Sequence, residues 1–328
     1  MQLAAYRDVY ASEVVENRFL CREHYRLVLH LRDFPPTEPG QFVQVACRDT
    51  ARFYSPEREI DWEEGKPFDP AGGELLEPLA FLRRPFSLAG RTDDHDGVRI
   101  ELIQRIVGVG TRWMSELKAG DTVDVLGPLG NRFRLPGATE VPLLVGGGVG
   151  IPPMLYLAQK LLGKKGVAFC GALTRDLLPL TLTGDASPSA DATEPLDNVL
   201  EFSRCGVASV ITTDDGSYGY RGFVTQALES YLDREFVGGV RQGTRPVIYT
   251  CGPEGMMKRV AEIAAGRGIE CQVAVERAMA CGMGTCQSCC IRLRRDPARD
   301  GRAFEGKDWI YKLACTDGPV FLGKDLLW

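Results

Sequence analysis

Short alternating or β-branched apolar runs dominate the first third of the chain. The segments "RLVLHLRDF", "QFVQVAC", "PFSLAG", "VRIELIQRIV" and "DTVDVLGPLG" are separated by Gly, Pro and Asp, the pattern of short strands joined by turns. Regular strands with such punctuation predict a β-barrel or sandwich, and the first domain is drawn as an antiparallel β-barrel over residues 1–137. One stretch breaks the pattern. Residues 48–78, "RDTARFYSPEREIDWEEGKPFDPAGGELLEP", are acidic, rich in Pro and Gly and without periodicity, and are predicted to be an inserted loop or lid.

From residue 138 strands alternate with helices. In "VPLLVGGGVGIPPMLYLAQKLL" a buried strand over Leu143–Val145 runs into a glycine turn and then an amphipathic helix. "GVAFCGAL", "ASVITTDD" and "PVIYTCG" are further apolar runs, and "GYRGFVTQALESYL" and "PEGMMKRVAEIAA" read as helices between them. This order predicts an α/β domain with a parallel sheet over 138–270. The polar stretch "TGDASPSADATEPLDN", 183–198, is predicted to be a surface loop. Residues 271–328 form a third, small, cysteine-rich region, so the fold class is mixed, with a barrel, an α/β domain and a metal-binding domain in sequence.

Composition narrows the chemistry. A chain of 328 residues exceeds what one core usually supports. Its net charge of −5 argues against a nucleic-acid partner, whose phosphates need Lys and Arg. The three histidines, His24, His30 and His95, are scattered, which disfavours a histidine metal site or a Ser-His-Asp hydrolase. The N-terminus has charges throughout, and no run reaches the roughly 20 apolar residues that span a bilayer. The expectation is a cytoplasmic protein with no membrane partner, whose thiols are reduced and whose clustered cysteines serve metal or redox chemistry.

Four of the eleven cysteines fall within "ERAMACGMGTCQSCCIRL". Cys281, Cys286 and Cys289 read C-x4-C-x2-C, the plant-type spacing of a two-iron, two-sulfur cluster, which takes a further thiolate from elsewhere. Adjacent Cys289 and Cys290 project differently, and the spacing favours Cys289. For the fourth ligand the sequence offers Cys315 in "LACTDGPVF", with Cys271 the other nearby candidate. Structural zinc usually draws on paired C-x2-C knuckles, often with histidine, and neither is present. Gly282 and Gly284 let the loop turn backbone N–H groups toward sulfur.

Three further motifs can hold a nucleotide. In "VGGGVGIPP", Gly146, Gly147, Gly148 and Gly150 lie between strand and helix, and since each glycine costs roughly 1 kcal/mol in regular structure, they call for a reason such as close approach of a phosphate. The spacing is not G-x-G-x-x-G. "YTCGPEGMM" puts Cys251, Gly252 and Pro253 at a strand's C-terminal end, where parallel sheets bind ligands. In "RRPFSLAG", Arg84 can clamp a phosphate, Phe86 can cover a ring and Ser87 can meet a ring nitrogen, while Gly108, Gly110 and Thr111 precede a helix.

In this order of domains the chain resembles the ferredoxin–NADP reductase superfamily. Within it, "RRPFSLAG", "VGGGVGIPPM", "TTDDGSYGYRGFVT", "YTCGPEGMM", "ERAMACGMGTCQSC" and "CTDGPVF" are similar to the electron-transfer subunits of two-subunit, NAD-linked dihydroorotate dehydrogenases (the B type). The resemblance implies FAD contacts from Arg84, Pro85, Phe86 and Ser87, with Gly108, Gly110 and Thr111 at the pyrophosphate. It implies an NAD side formed by Gly147, Gly148, Gly150, Cys251, Gly252 and Pro253, with Asp214 and Asp215 near it, and a 2Fe-2S cluster on Cys281, Cys286, Cys289 and Cys315. It also implies a partner, an FMN-containing catalytic subunit that oxidises dihydroorotate to orotate in pyrimidine biosynthesis, joined in a heterotetramer. NADH gives up two electrons as hydride and a cluster accepts one, so FAD belongs between them. Asp214 and Asp215 favour NAD over NADP, against which Arg175 would attract a 2′-phosphate. Departures from the family are Phe86 where tyrosine is usual, the long gap between Cys289 and Cys315, and the 48–78 insertion. A related reductase subunit serving ferredoxin, sulfide or hydrogenase chemistry is the alternative, and a nucleotide-binding regulator with structural zinc is the alternative of another class.

Overall fold

The alternating runs of the N-terminal third fold as strands. A computed structural model describes residues 8–48, 80–184, 189, 191–237, 243–296 and 308–328. Nearly all of the 48–78 insertion lies outside the described residues. The N-terminal strands are β1 (Asp8–Cys21), β2 (His24–Leu31), β3 (Phe42–Val45), β4 (Arg84–Ser87), β5 (Gly90–Asp94), β6 (Gly97–Arg105) and β7 (Thr122–Leu129). They form one antiparallel sheet in the order β4-β3-β7-β1-β2-β6-β5, curled into a half-barrel. Its inner face buries every second side chain, among them Leu27, Leu29, Val43, Val45, Ile100 and Leu102. The short helix α1 (Val109–Ser115) follows β6.

The second sheet holds β8 (Glu140–Gly147), β9 (Gly166–Ala172), β10 (Val207–Thr213), β11 (Tyr220–Arg221), β12 (Arg245–Cys251), β13 (Glu270–Ala274) and β16 (Val320–Leu322), in the order β11-β10-β9-β8-β12-β13-β16. All neighbours are parallel except β13 and β16. Leu143, Leu144 and Val145 are consecutive and wholly buried, as expected of a strand covered on both faces. Helices α2 (Ile151–Lys160), α3 (Val224–Leu232) and α4 (Glu254–Gly266) pack on this sheet. Pro152 and Pro153 sit in the first turn of α2, where a missing N–H costs nothing. The chain runs outward from β8 to β9 and β10, then returns to the other side of β8 as β12. That reversal opens a crevice between the C-terminal ends of β8 and β12, the place where open α/β sheets bind ligands.

Two expectations change here. The strand expected over Leu143–Val145 spans Glu140–Gly147, because Gly146 and Gly147 continue the ladder, Gly146 opposite Cys251 on one side and Cys170 on the other. The 183–198 segment is not simply a surface loop. Leu196 exchanges backbone hydrogen bonds with Ser209 of β10 at 2.9 and 2.8 Å, and buried Thr193 accepts from Arg234 Nη1 at 3.0 Å.

The C-terminal strands β14 (Cys290–Arg294) and β15 (Trp309–Leu313) pair antiparallel. This region docks on the outer face of the half-barrel: Phe42, Leu126 and Leu129 share one core with Cys289, Ala314 and Cys315. Asn131 pins the junction, its Nδ2 donating to the carbonyls of Asp317 and Val320 at 3.0 and 2.8 Å and its Oδ1 accepting from Val320 N at 2.8 Å.

Candidate functional site

The glycines of "VGGGVGIPP" divide into two kinds. A Cβ on Gly150 would lie 2.1 Å from the carbonyl oxygen of Cys251, so Gly150 lets the start of α2 pack against the turn after β12. Gly252, with φ +148, completes this contact from the other side, its absent Cβ 3.0 Å from the carbonyl oxygen of Gly147. Gly148 differs. It has φ +53 and nothing within 4 Å of its Cβ position, so its bare backbone faces open space.

That space is a cavity of about 560 Å³, within the usual range for a small-molecule site. Gly147 and Gly148 line it at the C-terminal end of β8, Gly171 to Leu173 at the end of β9, Asp214 just after β10 and Pro253 and Met256 after β12. Phe223, Val224 and Thr225 close it at the start of α3, and His24 and Arg105 reach it from the half-barrel. Gly150, Cys251 and Gly252 stand behind this lining and shape it. Burial holds the Cys251 thiol neutral, its pKa pushed up to about 12.

Charge in the cavity is sparse. Asp214 is the one carboxylate among the described lining residues, and its pKa is raised by burial and then by neighbouring Asp215. Asp215 itself is engaged elsewhere, accepting from the backbone N–H and hydroxyl of Ser217 at 2.9 and 2.6 Å. Arg175 lies 5.4 Å over the Tyr218 ring. Neither lines the cavity. Arg105 and Arg259 do, oriented by Glu23 at 2.8 Å and Glu229 at 3.0 Å respectively, and they offer positive charge to a diphosphate.

The second group lies on β4, the edge strand of the half-barrel. Arg84, Pro85, Phe86 and Ser87 are all half-buried, and Arg84 Nη1 donates to the Leu82 carbonyl at 2.8 Å. Phe86 packs on the barrel core. Gly108 precedes α1 with nothing within 4 Å of its Cβ position, whereas Gly110 and Thr111, expected ahead of the helix, lie in its first turn, where a Cβ on Gly110 would meet Cys47 and Ala80 at 3.0 and 3.2 Å. The Thr111 hydroxyl accepts from the backbone N–H of Val107 at 2.9 Å and of Gly108 at 3.2 Å, so it fixes the turn that exposes Gly108. A half-buried ring, a guanidinium, a hydroxyl and open backbone fit a flavin nucleotide.

The third group is the cysteine loop. Backbone N–H groups of Met283 and Cys286 each donate to Cys281 Sγ at 3.4 Å. Cys286 is exposed, and its pKa is lowered to about 6, first by the Ser288 hydroxyl and backbone and then by Cys281. Cys289 is buried, and the Cys315 N–H donates to its Sγ at 3.4 Å. Burial first, then the Cys289 thiol, pushes Cys315 up to about 12. The pairing of Cys290 with Leu313 closes the long sequence gap, because it sets Cys289 and Cys315 at the same end of the β14–β15 ladder. Cys290 opens the ladder, and Cys271 is buried in β13 beside Gly323. The thiols therefore fall into two pairs, Cys281 with Cys286 and Cys289 with Cys315. Among the described residues the only three metal-ligating groups within 4.8 Å of one another are Asp94, His95 and Asp96, all exposed. One tetrahedral zinc needs its thiolates mutually about 4 Å apart, whereas a two-iron cluster takes two thiolates at each end. The donor set fits the cluster.

Sequence reasoning missed His24, Arg105, Phe223, Arg259 and Glu276. Phe223 is a large exposed aromatic at the cavity rim, and only the sheet topology brings it there. Glu276, just after β13, is open to solvent yet crowded by protein, which raises its pKa, and it lies close enough to bear on Cys251.

A half-barrel with a flavin-type edge strand, a nucleotide crevice in a parallel sheet and a ferredoxin-like thiol loop define a reductase of the ferredoxin reductase class with an iron–sulfur domain appended. Residues 276–327 match the model of the iron–sulfur cluster binding domain of dihydroorotate dehydrogenase B. The chain is 30% identical over 316 residues to the dihydroorotate dehydrogenase B (NAD(+)), electron transfer subunit of Caldanaerobacter subterraneus subsp. tengcongensis, covering 96% of this chain and 97% of that one. It is 33% identical to the subunit of the same name from Geobacillus thermodenitrificans, covering 94% of each. The chain belongs to the family of dihydroorotate dehydrogenase B electron transfer subunits. Among solved structures, an NADH-dependent reduced ferredoxin-NADP oxidoreductase is similar with a TM-score of 0.66 and 26% identity, over 97% of this chain and 90% of that one. An Amycolatopsis cytochrome P450 reductase, at 24% identity and a TM-score of 0.54 over 81% and 68% of the two chains, shares the fold. Among the described residues no helix is long and apolar enough to cross a membrane.

Proposed function

We propose that this chain is the electron-transfer subunit of an NAD-linked dihydroorotate dehydrogenase, moving electrons between a partner flavoprotein and NAD during pyrimidine biosynthesis. The observation that carries the reading is the pairing of Cys281 with Cys286 and of Cys289 with Cys315 in a loop packed on the half-barrel beside the flavin-type strand. When bound, FAD and the 2Fe-2S cluster supply the conversion between a hydride and single electrons. The chain's own residues do the rest. Arg84, Pro85, Phe86 and Ser87 seat the flavin, with Gly108, Gly110 and Thr111 shaping the turn for its pyrophosphate. Gly147 and Gly148 let the dinucleotide approach the backbone, while Gly150, Cys251, Gly252 and Pro253 hold the crevice open. The buried, neutral Cys251 thiol presents a small uncharged surface to a flat ring. Asp214 disfavours a 2′-phosphate and so favours NAD over NADP.

In this reading residues 1–137, 138–270 and 271–328 are the flavin, nucleotide and cluster domains. The partner is an FMN-containing catalytic subunit in a soluble heterotetramer. No acid–base group for dihydroorotate oxidation is assigned to this chain, so the purified chain reduces artificial acceptors with NADH but does not oxidise dihydroorotate until a partner is added. Dihydroorotate oxidation by the chain alone would refute the assignment. A second reading is favoured by the full-length likeness to the ferredoxin-NADP oxidoreductase: the same domains would then serve a ferredoxin-linked partner. Affinity purification of the native complex, with flavin analysis of the partner, separates the two.

A further inference from the structure

Gln44 is a buried carboxamide with no partner. Its side chain is on the outer face of β3, only 1% of the residue is exposed, and neither its Oε1 nor its Nε2 makes a hydrogen bond. Burying such a group unsatisfied is strongly unfavourable, because it gives up its hydrogen bonds to water and gains none. The chain nevertheless places it where leucine would do. Two features surround it. On the adjacent strand its register partner is Pro85, between Arg84 and Phe86. Across the docking face lies Gly282, the residue after Cys281, with φ +71, and a Cβ there would lie 2.7 Å from Gln44 Oε1 and 2.9 Å from its Cδ. Gly282 is thus left bare so that the loop can close on this amide. Gln44 stands between the flavin-type strand and the thiol loop, and the next nearest atom to the Gly282 Cβ position is the apolar Leu129 Cδ1 at 3.1 Å.

We propose that Gln44 tunes the cluster, its amide N–H donating to a sulfur on the Cys281–Cys286 side. The inference rests on the iron–sulfur reading above and adds a residue to it. Reduction places an extra electron on the cluster, and a hydrogen bond to sulfur stabilises that charge, raising the midpoint potential. Two backbone N–H groups already serve Cys281 Sγ. Gln44 adds a donor from a different region of the chain, so the potential depends on how the half-barrel and the cluster region are docked.

The test is a redox titration of the holoprotein, carrying both flavin and cluster, following the cluster by paramagnetic resonance and the flavin by absorbance. Gln44→Met removes the donor at similar volume. It is expected to shift the cluster's reduction equilibrium about tenfold toward the oxidised form, which is 59 mV for one electron, with the flavin potential unchanged. Gln44→Leu also removes the donor and decides the matter should the Met variant fail to assemble: the same shift of the cluster potential is expected. A cluster potential unchanged within twofold in an assembled variant, or a shift confined to the flavin, overturns the proposal while leaving the cluster itself established. Wild-type protein labelled with ¹⁵N at the glutamine side-chain amide supplies a reading that needs no variant. The reduced cluster is expected to show a ¹⁵N hyperfine coupling, and its absence overturns the proposal. A preparation with no cluster signal at all would sink the iron–sulfur reading instead.

Discussion

Gly148 and Gly150 lie two positions apart, and the structure gives them different reasons, which substitution to alanine separates. Gly150 has ordinary helical torsions, φ −85 and ψ −7, so alanine carries no backbone penalty there. Its methyl would sit 2.1, 2.3 and 2.4 Å from Cys251 O, Cys251 C and Gly252 N, about 1.3 Å inside ordinary contact at the closest point. All three are backbone atoms at or just past the end of the β8–β12 ladder, so no side-chain rotation relieves the clash. Overpacking of a rigid site costs about 2–3 kcal/mol, and for a chain of this size that lowers Tm by about 3–4 °C. Gly148→Ala has room, but its φ of +53 costs about 1–2 kcal/mol, and its methyl enters the nucleotide cavity. Gly148→Asn tolerates the left-handed torsion better while intruding further. The assay is thermal unfolding beside steady-state reduction of an artificial acceptor by NADH. Gly150→Ala is expected to lose mainly stability. The two Gly148 variants are expected to raise KM for NADH about tenfold, a loss of about 1.4 kcal/mol, with the Asn variant the more stable of the pair. If Gly150→Ala melted with the parent, or Gly148→Asn bound NADH normally, the assignment of contact to one and approach to the other would be wrong.

Cysteine substitution is expected to split by position: Cys290→Ser keeps iron, sulfide and visible absorption, whereas Cys289→Ser and Cys315→Ser lose them, as metal analysis reads directly. Asp214→Asn removes the cavity's carboxylate and is expected to raise kcat/KM for NADPH relative to NADH by about tenfold, about 1.4 kcal/mol. His24 is buried, and that burial lowers its pKa, with Arg105 adding to the effect against the Arg22 carbonyl, which raises it. The unfolded chain takes up this proton near pH 6.5, so the folded state is fully favoured above that pH and loses stability as pH falls below it. Tm measured from pH 7.5 to 5 is therefore expected to fall less steeply in His24→Gln than in the parent.

Local pattern carried much of this protein, and distance in sequence hid the rest. The alternation in "RLVLHLRDF" and the solid apolar run Leu143–Val145 declare strands because their own side chains supply the buried faces. Gly146 and Gly147 have no side chains with which to signal, and their place in β8 comes from Cys251 and Cys170 on the flanking strands. The spacing of Cys281, Cys286 and Cys289 is short and therefore legible. Cys315 enters through the β14–β15 register, which no spacing rule encodes. Asp215 sits in a motif that points at the nucleotide and Arg175 follows a sheet strand, but Ser217 and Tyr218 engage them locally. Gln44 is the reverse case. In the strand pattern it occupies an outward polar position, and only the docking of the C-terminal region makes it a buried amide.

All of this depends on two thiol pairs, contributed by segments on either side of the β14–β15 ladder, holding an inorganic redox centre next to a bound flavin. Anaerobic purification followed by iron, acid-labile sulfide and flavin analysis, with a low-temperature paramagnetic resonance spectrum after dithionite, tests this most directly. Two irons, two sulfides and one FAD per chain are expected, with a reduced-cluster signal. A chain that carries zinc, or FAD without iron and sulfide, would contradict it.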